Sequence, residues 1–94
     1  MEVTEGTGAE LIEFLDFAID RGFVNRSTGS AYKAACREVL SAVEGEEWPD
    51  VLLRALDVPN VLRRFETKSR LKYKPQSLTT YKSRFRSALD MFEF

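Results

Sequence analysis

The spacing of its apolar residues restricts this chain to helices. Between Ser77 and Phe92, in SLTTYKSRFRSALDMF, Tyr81, Phe85, Ala88 and Phe92 recur at intervals of three and four, with Leu78 and Leu89 beside them. Nowhere do apolar and polar residues alternate over the length a strand needs. The other side of the same segment carries Thr79, Thr80, Ser83, Arg86 and Ser87. Lys82 and Arg84 lie at its borders, and Asp90 near the far end is its only acid. Hydroxyl and guanidinium groups on one helix face suit a DNA groove, where they meet phosphates and base edges. An ordinary solvated helix face has the same composition, so the helical wheel leaves both readings open.

The rest of the chain divides at its turn residues. A first helix is expected over about Ala9 to Arg21, with Leu11, Phe14, Leu15, Ala18 and Ile19 inward, Thr7 as N-cap and Gly22 as stop. Ser27 or Thr28 caps a second helix reaching about Val43, whose buried stripe is Tyr32, Ala35, Cys36, Val39, Leu40 and Val43. The opposite face of that helix starts with Arg26, Thr28, Gly29, Ser30, Lys33 and Arg37. Gly29 there is either merely tolerated or admits a close backbone or phosphate. Glu44 to Asp50 reads as a turn with Trp48 as a core plug, and Pro49 opens a short helix to Leu56. Asp57 caps a helix to about Lys68 that turns Val58, Val61, Leu62 and Phe65 inward and leaves Arg63, Arg64 and Lys68 outward. Ser69 to Gln76 alternates cations with Leu71 and Tyr73, and Ser77 caps the last helix. The expected fold is all-α, with four main helices.

At 94 residues and 44% apolar content, the chain can form one small domain. Met1 to Gly8 reads as a loose lead-in. No run is apolar enough to cross a bilayer and no signal peptide is evident, so a cytoplasmic protein without membrane contact is expected. Cys36 is the single cysteine and falls on a buried stripe. With no histidine, zinc sites and His-based triads are excluded. There is no glycine-rich phosphate loop, and Glu46 and Glu47, like Glu10, Glu13 and Asp16, read as solvated acids. No catalytic residue, metal or cofactor is expected.

The net charge of −1 conceals a sharp division. Residues 1–62 hold five basic residues against twelve acids, for −7. Residues 63–86 hold nine (Arg63, Arg64, Lys68, Arg70, Lys72, Lys74, Lys82, Arg84 and Arg86) against Glu66 alone, for +8. Such polarity marks one surface as a candidate polyanion site.

Taken together, these segments resemble the N-terminal core-binding domain of tyrosine recombinases, the phage integrase family, a SAM-like fold. The residues that carry the likeness are LIEFLDFAI, then NRSTGSAYKAACREVL, then VPNVLRRFETKSR, and above all SLTTYKSRFRSALDMF; together they cover about Ala9 to Phe94. The resemblance implies a bundle of four helices in two crossing hairpins, with the second and fourth helices in the major groove of a recombination half-site. By position it implies DNA-facing Thr28, Ser30, Lys33 and Arg37, then Thr79, Thr80, Ser83, Arg84 and Ser87, with Lys72, Lys74 and Lys82 on phosphates. Arg26, Arg63, Arg64, Lys68 and Arg86 extend the same cationic set.

The family's catalytic cluster and nucleophilic tyrosine belong to a separate C-terminal domain. Tyr32, Tyr73 and Tyr81 are therefore expected in core or linker positions, and the domain itself is expected to be non-catalytic. The implied partners are double-stranded DNA, that catalytic domain, and neighbouring protomers in a DNA-bound tetramer, which Phe14 and Phe17 would touch. A helical protein-interaction module, whose basic surface docks an acidic partner, fits the same charge pattern.

Overall fold

Thr7 opens the first helix with a reciprocal capping box. Its hydroxyl accepts from the Glu10 amide at 3.2 Å, while the Glu10 carboxylate accepts from the Thr7 amide at 3.0 Å. This helix, α1 (Gly8–Asp20), ends before Gly22, whose φ of 76° an L side chain rarely adopts. The structure, a computed structural model, describes residues 6–92. It continues with α2 (Arg26–Glu44), two short 3-10 turns (Gly45–Asp50 and Leu53–Ala55), α3 (Val58–Ser69) and α4 (Pro75–Phe92). Among the described residues the one β-type contact is an isolated bridge between Thr7 and Leu52. The fold is all-α, with four main helices.

Several boundaries differ from expectation for local reasons. Asn25, not Ser27 or Thr28, caps α2: its side-chain oxygen accepts from the Thr28 amide at 2.8 Å, which moves the helix start to Arg26. Ser77 caps nothing, because α4 begins at Pro75, where a fixed φ and a missing N–H suit the first helical position. The short helix expected from Asp50 to Leu56 is replaced by the two 3-10 turns, with Pro49 inside the first. Part of the expected lead-in is fixed in place. The Gly6 carbonyl accepts from Leu53 at 2.9 Å, and the Gly8 amide donates to Val51 at 3.1 Å. Met1 to Glu5 lie outside the described residues.

The core is one cluster drawn from every helix. Leu11 and Leu15 of α1, Cys36, Val39 and Leu40 of α2, Phe65 of α3 and Phe85 of α4 are its most deeply buried members. Burying each of the larger side chains contributes roughly 1.5–3 kcal/mol, which is why the periodic stripes decide the architecture. Trp48 is half-buried and packs against this cluster, plugging the side where Gly8 approaches it. The helix α2 packs on α1, α3 and α4, and its contact with α4 is the most extensive in the molecule. The pairing of α3 with α4 is looser, and a groove opens between them.

Candidate nucleic-acid interface

The looseness of the α3–α4 pair gathers charge into one place. Arg63 on α3 and Arg70, the residue that caps its C-terminal end, lie on one flank at seven-residue spacing, with Glu66 and Thr67 between them. Across the gap, Thr79, Lys82, Ser83 and Arg86 share one flank of α4. These residues line a groove of about 660 Å³, floored in part by Pro59 and Leu62. Four cations thus face a single carboxylate, and Glu66 is hydrogen-bonded to the ammonium of Lys82. That contact, more than any other, holds the Glu66 carboxyl below its ordinary value.

The remaining predicted residues do not all join this groove. Thr80 and Arg84 lie on the other flank of α4, lining a smaller hollow of about 230 Å³ with Gln76, Ser77 and Tyr81. Thr80 also turns its hydroxyl back to the Gln76 carbonyl at 3.0 Å. Ser87 and Thr28 are half-buried. Arg64 donates to the Val43 carbonyl at 3.3 Å, satisfying a backbone oxygen in the last turn of α2. Lys68 and Lys74 are exposed, as are Arg26, Ser30 and Arg37. Among the described residues, Arg26, Arg37, Arg63, Lys68, Arg70, Lys74, Arg84 and Arg86 form no ion pair.

Two further lysines are held by acids. Lys33 pairs with Asp16 of α1 at 2.5 Å, so its flank of α2 leans toward the acidic helix and away from the α3–α4 groove. Gly29, expected on the same polar face, is buried against Ile19 of α1, so no ligand approaches there. Lys72 meets Glu38 of α2 at 3.4 Å and lies over the Tyr73 ring, 5.2 Å from its centre. The Tyr73 hydroxyl donates to the same carboxylate at 2.5 Å, which is the main reason its pKa is raised. What α2 presents to the α3–α4 connection is therefore a carboxylate. Carboxylates thus stand among the cations at both places, Glu38 beside Lys72 and Glu66 beside Lys82, while most of the positive charge lies on α3, the connection and α4.

The tyrosines have structural roles. Tyr81 packs edge-on against Phe65 and Tyr73, at ring-centre distances of 6.1 and 5.1 Å, and Tyr32 packs half-buried on the core. Of the two phenylalanines expected to touch a neighbour, Phe14 is engaged edge-on with Phe92 at 5.4 Å. Phe17 meets the exposed Phe23 at 6.1 Å, with the Arg21 guanidinium over its ring. Cys36 is fully buried, and burial pushes its thiol up to about 12, so it stays protonated and unreactive at neutral pH. Among the described residues no group of three or more His, Cys, Asp or Glu could hold a metal, and no helix is long and apolar enough to cross a membrane.

No family model, curated protein or solved structure matches this chain. Its site therefore has to be read from its own residues. Sequence reasoning passed over Arg70 as a groove-lining residue, along with Glu66 and Thr67, because the helix was expected to end at about Lys68 and Arg70 to fall in the connection after it. It could not show that α4 would turn Lys82 and Arg86, and not Arg84, toward that flank.

Proposed function

We propose that this domain binds double-stranded DNA, with the cationic groove between α3 and α4 as its principal phosphate contact. The observation that carries the reading is the convergence of Arg63, Arg70, Lys82 and Arg86 on one open groove that holds a single carboxylate. Guanidinium groups meet phosphate in bidentate fashion, and hydroxyls such as Thr79 and Ser83 add neutral donors beside them. The ion pairs of Lys33, Lys72 and Lys82 do not oppose this strongly. Each involves a partly exposed partner, and exposed pairs contribute only about 0–1 kcal/mol.

The finer reading is that of the DNA-binding module of a site-specific tyrosine recombinase, acting with a separate catalytic domain and neighbouring protomers on a half-site. Its support is the resemblance carried by SLTTYKSRFRSALDMF and the segments before it. In this reading α4 supplies groove contacts through Thr79, Lys82, Ser83 and Arg86.

Fluorescence anisotropy on labelled duplex DNA tests the proposal. If about five phosphates are neutralised, log Kd should rise with log salt at a slope near 4 to 5 between roughly 50 and 200 mM. A salt-independent response, or no binding at the low end, overturns it. One observation favours a second reading, the docking of an acidic protein partner: Leu71 is 98% exposed between Arg70 and Lys72, and an apolar side chain adds nothing to phosphate contact. That reading predicts capture of a partner that depends on Leu71, with no duplex binding.

A further inference from the structure

The α3–α4 groove already contains an anion, and it belongs to the chain. Glu66 is the one carboxylate among the residues lining it, and it engages Lys82 from across the gap. The two partners are unequally held: the Lys82 side chain is 28% exposed, that of Glu66 51%. The acid is therefore the more solvent-exposed partner of the pair.

We propose that Glu66 is a built-in competitor for the phosphate site of this groove, neutralising Lys82 until a DNA phosphate displaces it. The inference rests on the DNA-binding reading and specifies how that site is regulated. A carboxylate and a phosphate oxygen are interchangeable ligands for an ammonium group, so the two compete for one position. Because the internal pair is partly exposed, its hold is weak enough for a polyanion to overcome. Displacement of Glu66 costs every anion that takes the Lys82 position the same amount, so it lowers the affinity of the groove by a common factor.

The test compares duplex binding by the full chain and four variants at one salt concentration: Glu66→Gln, Glu13→Gln, Lys82→Gln, and Glu66→Gln combined with Lys82→Gln. Glu13 lies on α1 and supplies the same change in net charge away from the groove. Glu66→Gln should tighten binding about fivefold, the ceiling set by an exposed ion pair, and Glu13→Gln by less than about twofold. The gain from Glu66→Gln should vanish in the Lys82→Gln background, as required of two groups acting through one contact. A gain no larger than that of Glu13→Gln, or one that persists without Lys82, overturns the inference. If the unmodified chain binds with the expected salt dependence while Glu66→Gln does not tighten it, only the competitor role falls. If no variant binds duplex DNA, the DNA reading falls with it.

Discussion

At Gly29 the helices α1 and α2 come so close that a methyl group added there would lie 2.6 Å from the Ile19 Cδ1 and closer still to its Cγ1. Two effects of opposite sign meet at this position. Alanine in place of glycine inside a helix gains about 1 kcal/mol from propensity, whereas overpacking a close contact costs about 1–3 kcal/mol. The contact reaches Cγ1 as well as the terminal Cδ1 of a half-buried isoleucine, so the whole arm of that side chain has to shift and the steric effect should win. Gly29→Ala is expected to destabilise the protein by about 1 kcal/mol in urea denaturation. A stabilised variant would show that α1 and α2 are farther apart. The sequence allowed for a close approach at Gly29 but could not name what approaches. The sequence reading put residue 29 on the polar face, and only the approach of α1 decides that Ile19, and no ligand, fills the space.

The helices themselves were the most legible elements, because the three-and-four spacing of Leu11, Leu15, Val39, Phe65 and Phe85 is independent of how the elements pack. Their ends were less so. Asn25, Ser27 and Thr28 all have side chains able to cap, and the choice depends on which residue keeps extended backbone angles; Asn25 does, with φ −72° and ψ 161°. Removing that cap, Asn25→Ala, should cost about 1 kcal/mol of unfolding free energy, while Ser27→Ala should change it by less than about 0.5 kcal/mol. Equal effects in thermal or urea unfolding would reassign the cap. The stretch from Gly45 to Leu56 has no period to read, and it resolves into two 3-10 turns from which Trp48 and Leu53 pack inward. Tyr73 illustrates a different limit. Its ring was expected in core or linker, but its hydrogen bond to Glu38 joins residues 35 apart, a separation that no local pattern encodes.

For the whole molecule, the charge division along the chain was plain in the sequence, and its assembly into a surface was not. Nothing local predicts that α4 would pack most extensively on α2, or that the flank of α2 bearing Lys33 would turn toward Asp16. Paired substitutions separate the two surfaces that result. Arg63→Ala with Arg86→Ala should lower the salt slope of duplex binding by about two, one unit per lost phosphate contact. Arg26→Ala with Arg37→Ala removes equal charge from α2 and should leave the slope nearly unchanged; the reverse pattern would move the DNA contact to α2. The placement of α2 between α1 and α3, which share no extensive contact, has a consequence for approach. Glu13, Asp16 and Asp20 lie on α1 and the cationic run 63–86 on α3, the connection and α4, so a nearly neutral molecule divides its charge unevenly among its helices. Such a division would favour cation-first approach to any polyanion before an atom touches.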